Sequence, residues 1–392
     1  MGELGAPIAA EEIMSSSKSV FGSRAHGVRL ERMKSSPRFD GTVFRNIHPA
    51  IPGLKSGTVV PTITEYLCGG QRRTPTSPLP VLNPLAGWAK SIETGLRATW
   101  LGHSTVLVEI DGVRVLTDPV WGDRASPMSF AGPKRFHPAP VPISSLPPLD
   151  AVIISHDHYD HLDHPTILEL ARLDVPFVTS LGIGAHLEAW GVPAARIIEL
   201  DWWEQTTLPR GGVTITAAPS QHFSGRSLGD RNRTAWSSFQ VRGPKRAFFF
   251  SGDTGLTPEY AEIRERLGPF DLVMLEVGAF HPAWGDIHLG PENALAALEM
   301  LGGGAFLPVH WGTFNLALHA WDEPPETLLR LAPATGAQLV MPRLGEPIEP
   351  SRVERVNPWW RSSEVVDAPS PAAPTEPEEA PEIDATVPWP ID

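Results

Sequence analysis

Ser155-His156-Asp157-His158-Tyr159-Asp160-His161 sets three imidazoles and the carboxylate of Asp160 within six residues. The run follows Leu149–Ser155 (LDAVIIS), a short continuous apolar stretch that reads as a strand buried on both faces. The histidines therefore belong to a loop at the strand's C-terminal end. His156 and His158 can turn toward one point, and Asp160 with His161 can serve a neighbouring one. Imidazole nitrogens with some carboxylate oxygen suit Zn²⁺. Core packing does not explain so dense a cluster.

Moving outward, single polar residues follow other apolar runs. His222 comes after GVTITAAP, Asp253 follows RAFFFSG within a GDTG turn, and His310 ends AFLPVH. Each alone reads more readily as a hydrogen-bonded structural residue. Together with the dense loop they form a set of strand-end ligands. Asp111-Gly112 between two β-rich runs predicts a hairpin. PTILELAR, TPEYAEIRERLG and PENALAALEMLG read as helices, the last two with a proline at the start and a closing glycine. PFVTS, ARIIEL, GVTITAAPS, SSFQVRG, RAFFFSGD, DLVMLEVG, AFLPVHWG and AQLVMPRLG read as strands. The mixture predicts an α/β protein with two mixed sheets faced by helices.

The 42 prolines among 392 residues are about twice typical usage, so many connections should be irregular. Residues 1–40 read as a flexible arm, either solvated or touching a membrane surface. Residues 41–97 read as a wrapping segment with little regular structure, at the start of one folded domain spanning 41–361. Residues 362–392 alternate Pro, Ala and acids and read as a disordered tail. That tail holds eight acids and no base, so of the formal charge of −13 only −5 belongs to the rest. A mildly acidic body argues against nucleic acid as a partner. Cys68 is the only cysteine, which excludes an intrachain disulfide and suggests the cytoplasm, with peripheral membrane contact left open. No run approaches the ~18 apolar residues of a membrane span, and the N-terminus lacks a signal-peptide pattern.

HDHYDH fits the HxHxDH signature of the metallo-β-lactamase fold, and His222, Asp253 and His310 arrive in that superfamily's order. WLGHSTVLVEIDG, LTDPVWGDRASP, AGPKRFHPAP, LPPLDAVIISHDHYDHLD, IELDWWE, FFFSGDTG, GPFDL and HWGTF resemble one branch more closely. That branch is the N-acyl-phosphatidylethanolamine-hydrolysing phospholipase D family and its bacterial relatives. The resemblance runs from about Trp100 to Phe314 and implies an αβ/βα four-layer sandwich. It implies that His156, His158 and His222 bind one zinc, that Asp160, His161 and His310 bind a second, and that Asp253 bridges. Mn²⁺ or Fe²⁺ are alternatives. A hydroxide between the ions would attack phosphorus, releasing an N-acylethanolamine and leaving phosphatidic acid.

Asp118 and His288 match positions that resemble functional ones. The carboxylate of Asp118 can orient a ligand imidazole. His288 reads as a proton donor, a phosphate contact or a structural residue, and His103 as a core hydrogen-bonder beside a ligand. Tyr159, Lys134, Arg135 and Arg226 are candidates for substrate contact. Trp121, Phe130, Trp202, Trp203, Phe223, Trp284 and Trp311 are candidates for an acyl groove, although no hydrophobic docking patch is legible. A phospholipid or small phosphodiester is the expected substrate, and a homodimer is allowed. A lactonase of the same fold and a non-catalytic metal-binding scaffold are the competing readings.

Overall fold

The computed structural model describes residues 19–50, 53–227 and 229–364. The first part of the expected arm and nearly all of the acidic tail lie outside the described residues.

Two sheets face each other. The first contains β1 (Leu96–Gly102), β2 (Thr105–Ile110), β3 (Val113–Thr117), β4 (Ala151–Ile154), β5 (Phe177–Ser180) and β6 (Ile197–Leu200). The second contains β7 (Gln205–Thr207), β8 (Thr214–Ala218), β9 (Ser238–Arg242), β10 (Ala247–Phe250), β11 (Leu272–Glu276) and β12 (Ala305–Val309). A short β13 (Pro347–Ile348) returns to the edge of the first sheet beside β1. Strand order is 13-1-2-3-4-5-6 in one sheet and 12-11-10-9-8-7 in the other.

The two-residue period of the strands sorts side chains into layers. Val106, Val108, Ala151 and Ile153 join Phe248, Leu272 and Met274 in the core between the sheets. Their neighbours Leu107, Val152 and Ile154 face outward and pack with Ile167, Leu170 and Leu187. The helices, in chain order, are α1 (Gly27–Lys34), α2 (Val59–Cys68), α3 (Leu85–Trp88), α4 (His164–Leu170), α5 (Gly184–Ala189), α6 (Glu259–Leu267), α7 (Gly290–Met300) and α8 (Glu323–Thr335). α4 and α5 cover the outer face of the first sheet, while α6, α7 and α8 cover the second. The result is the expected four-layer sandwich.

The Asp111-Gly112 hairpin forms with φ of 47° and 87°, the pair of positive values that a type I′ turn requires. α4 starts as its sequence implies, with Asp163 capping Thr166 N–H. Other segments depart from expectation. AQLVMPRLG contributes only two isolated bridges, Leu339 to Phe306 and Leu344 to Val81, and no strand. Residues 41–97 contain two helices, α2 and α3. Residues 19–40 are not extended: α1 buries Met33, Arg29 pairs with Glu188 and Glu199, and Arg38 reaches Asp201. The periodicity there is weak because contacts with the body, and not an apolar stripe, fix the segment.

β3, β4 and β5 run parallel, as do β10, β11 and β12. Their C-terminal ends therefore open on one rim, where connecting loops can gather side chains from distant sequence.

Candidate metal centre

The rim brings together all seven ligands expected from the sequence. Donor atoms of His156, His158, His222 and Asp253 lie within 4.8 Å of one another, and so do those of His103, Asp160, His161 and His310. One carboxylate joins the groups. Asp253 Oδ2 is 3.1 Å from Nε2 of both His161 and His310, 3.8 Å from His156 Nε2 and 3.9 Å from His222 Nε2. Asp160 Oδ2 lies 3.2 Å from His310 Nε2 and 3.4 Å from His161 Nε2.

The nitrogen that each imidazole offers is set by what its other nitrogen does. His161 Nδ1 donates to Asp118 Oδ2 at 2.7 Å, and His222 Nδ1 donates to the Ile287 carbonyl at 2.9 Å. Ser155 Oγ donates to Asp118 Oδ2 at 2.5 Å, so it accepts from His156 Nδ1 at 2.9 Å. Each bond turns the ring's Nε2 toward the centre. His156 Nε2 comes within 2.8 Å of His158 Nδ1. Both Asp253 oxygens are buried and make no hydrogen bond. Lone pairs converging this closely repel unless a cation sits among them, so the donor set fits a metal.

Charge supports the same fit. Burial, reinforced by neighbouring imidazoles, pushes His156 and His222 well below the ordinary imidazole value, and burial takes His158 to about 4. These rings are neutral, the form that binds metal. His161 behaves oppositely. Burial disfavours its charge, but the carboxylates of Asp253 and Asp160 outweigh it and raise the ring well above its ordinary value. Positive charge is thus favoured beside these two carboxylates, where a cation is expected.

Strain is concentrated here. His103, Asp118 and His310 have φ of 51°, 30° and 65°, which side-chain-bearing residues avoid. His103 Nε2 bonds Asp160 Oδ2 at 2.8 Å, so it holds one candidate ligand from behind. His288 Nδ1 lies 3.3 Å from Glu276 Oε1, and its ring stands between those of His222 and His310.

Several expected substrate contacts are engaged elsewhere. The Arg226 guanidinium is buried and donates to the carbonyls of Asp157, Leu162 and Val20, so it braces the histidine loop from within. Tyr159 lies under that guanidinium, 4.1 Å from ring centroid to carbon, and its hydroxyl donates to the Arg226 carbonyl. Arg135 turns inward to the Val120 and Gly122 carbonyls. Lys134 is exposed and makes no side-chain hydrogen bond or ion pair among the described residues. Trp202, Phe223, Trp284 and Trp311 are buried, whereas Phe130 is 78% exposed.

Three residues carry weight that the sequence did not reveal. Glu276 ends an apolar strand as the ligands do, so the same strand-end rule finds it. Asn46 clamps the backbone of His222, donating to its carbonyl at 2.8 Å and accepting from its N–H at 3.1 Å. Arg73 lines a pocket with His310, Trp311 and Phe314. Neither Asn46 nor Arg73 sits in a periodic segment, and no local signal marks them.

Comparison with known proteins agrees with this geometry. The family described as "Beta-lactamase superfamily domain" matches residues 113–311. An uncharacterized protein of Mycobacterium tuberculosis is 43% identical over 84% of this chain and 88% of its own length. A Caenorhabditis elegans protein named N-acyl-phosphatidylethanolamine-hydrolyzing phospholipase D 1 is 40% identical over 65% of this chain and 74% of its own. The solved structure of an isothiocyanate hydrolase from Delia radicum gut bacteria shares the fold. Its TM-score is 0.53 at 23% identity, covering 64% of this chain and 98% of that one.

Proposed function

The chain belongs to the β-lactamase superfamily and is one of its metal-dependent hydrolases, and from that premise we propose that it is a dizinc phosphodiesterase. Its substrate is N-acyl-phosphatidylethanolamine or a related glycerophospholipid, which it splits into phosphatidic acid and an N-acylethanolamine.

One observation carries the reading: the Asp253 carboxylate is shared between both donor groups, as a two-ion hydrolytic centre requires. His156, His158 and His222 would hold one ion, Asp160, His161 and His310 the other, and Asp253 both. Zinc bound there acidifies water and neutralises the charge of a phosphodiester. The chain's own residues do the rest. Asp118, through Ser155 and His161, fixes two imidazoles in the orientation that directs Nε2 inward. His288 stands beside both groups and hands a proton to the departing alkoxide oxygen. Burial raises the Glu276 carboxyl facing that ring, and the same carboxyl accepts the Leu289 N–H. The hydrolysis breaks the phosphorus–oxygen bond to the N-acylethanolamine and forms one to water's oxygen. The leaving oxygen takes up a proton. The branch relationship supports a lipid phosphodiester as the substrate.

The test is incubation of purified, metal-loaded protein with vesicles containing N-acyl-phosphatidylethanolamine, with products read by mass spectrometry. N-acylethanolamine and phosphatidic acid in equal amounts are expected. Released fatty acid, or no turnover with two ions bound per chain, would overturn the phosphodiesterase reading.

A further inference from the structure

We propose that α2 is a lipid-docking helix that seats the chain on a phospholipid surface and places a headgroup phosphate beside Arg73 at the entrance to the candidate metal centre. The headgroup half of this inference rests on the phosphodiesterase reading; the docking half does not.

α2 has the sequence VVPTITEYLC, and among these residues only Thr62 is buried. Val60 is 73% exposed, Leu67 71%, Val59 44% and Ile63 42%. At about 100° per residue these four side chains fall within an arc of about 100° on the helix surface. A surface helix normally turns such a stripe toward the core. Here the aliphatic face meets solvent, and the helix is tied down through polar groups instead. The N–H of Lys55 bonds the Ala283 carbonyl, Thr58 Oγ1 caps the turn at Lys55, and Glu65 Oε2 lies 3.1 Å from His281 Nε2. An aliphatic stripe held outward by polar struts marks a contact surface.

Charge and size select the occupant. Within residues 53–73 the cations are Lys55, Arg72 and Arg73, against the single acid Glu65, which already faces His281. Arg72 is paired with Asp322 at 2.8 Å, so Lys55 and Arg73 are the bases beside the stripe. Aliphatic residues flanked by bases match an interfacial helix on phospholipid. A second copy of the chain is a poor fit, because four side chains fall far short of the roughly 20 residues a side of a stable interface.

Position links the face to the chemistry. The Arg73 guanidinium stacks on Tyr66 of α2, 4.4 Å from its ring centroid. No carboxylate pairs with Arg73 among the described residues. It lines the pocket that also holds His310, with Phe314 and Leu316 as apolar wall. Glu65 of α2 and Leu54 just before the helix both contact the 281–284 turn that leads into His288. A phosphodiester carrying acyl chains meets aliphatic side chains, then a cation, then the histidine cluster. α2 and Arg73 lie outside residues 113–311, the stretch shared with the superfamily, whereas the turn and the histidines they approach lie inside it.

Co-sedimentation of the full chain with vesicles of phosphatidylcholine and N-acyl-phosphatidylethanolamine tests the docking half without reference to activity. The double variant Val60→Ser, Leu67→Ser should lose at least ~tenfold in vesicle affinity. Its melting midpoint and its hydrolysis of water-soluble bis(p-nitrophenyl) phosphate should match the parent's. Arg73→Ala should raise KM for vesicle lipid at least ~tenfold with kcat little changed, and Arg73→Lys should restore part of it. Wild-type protein that stays in the supernatant would overturn the proposal. So would a double variant that sediments like the parent, or a solution dimer that the double variant dissociates. If the wild type sediments but cleaves no phosphodiester when metal-loaded, docking stands and the phosphodiesterase reading falls.

Discussion

At the scale of single residues, the centre depends on atoms that never face the reacting groups. Asn46 saturates both backbone polar groups of His222 and also accepts from Trp236 Nε1 at 3.1 Å. Asn46→Ala leaves buried groups without partners, at ~1–3 kcal/mol for each one stranded. We expect a lower melting temperature and faster metal loss to chelator, followed by competition with a fluorescent zinc indicator. Unchanged metal affinity in a folded Asn46→Ala protein would remove Asn46 from the machinery. Asp253→Asn tests the sharing of one carboxylate. Metal analysis should find fewer ions at both positions, and wild-type turnover by this variant would refute the bridge. His103, Asp118 and His310 adopt left-handed backbone values that local sequence does not favour. Their φ values record how strongly the rim dictates side-chain direction.

At the scale of elements, close approach between strand ends positions the loops. Gly278 follows β11, and a Cβ there would lie 1.9 Å from the His310 carbonyl oxygen. Gly278→Ala must therefore displace the loop after β12 and carry His310 away from Asp253. We expect it to lose zinc stoichiometry as well as stability, measured by metal analysis beside calorimetry. The N-terminal segment is held by electrostatics. Burial alone would raise the Asp201 carboxyl, but the Arg38 guanidinium, the Ser36 hydroxyl and the Trp202 N–H outweigh it and hold it below its ordinary value. A depressed folded pKa contributes stability above the unfolded value of ~3.9, and that contribution is lost as pH falls through the lowered folded value. Asp201→Asn removes the contribution and leaves Arg38 buried without its counter-charge. The variant should expose residues 19–45 to protease at neutral pH, and its stability should vary less with pH in the acid range than the parent's.

At the scale of the whole molecule, two sheets with parallel strands ending on one rim make a frame whose loops share a single cavity. A cation there compensates the buried acids, so metal should stabilise the fold by mass action. Stripping metal with chelator should lower the melting temperature, and adding back about two equivalents of Zn²⁺ should restore it. An unchanged melting temperature would mean that the frame is rigid without its ions. No helix among the described residues is long and apolar enough to cross a membrane.

The histidine loop, the strand ends and the Asp111-Gly112 turn were legible in the linear chain, because ligand spacing and hydrophobic period are local properties. They yielded the four-layer fold and the seven donors. Side-chain direction was not legible. Arg226 and Tyr159 sit beside the histidine motif yet turn inward, because carbonyls brought together by folding compete for the guanidinium. α2 hides its meaning in another way: its apolar residues look like core material until packing leaves them outside. Asn46 and Arg73 lie in a stretch without period and gain their roles from partners more than 170 and 230 positions away, at His222 and His310. Local sequence carries the chemistry of the donors, whereas only long-range packing decides which way each remaining side chain faces, since that choice is settled by neighbours the chain meets after it folds.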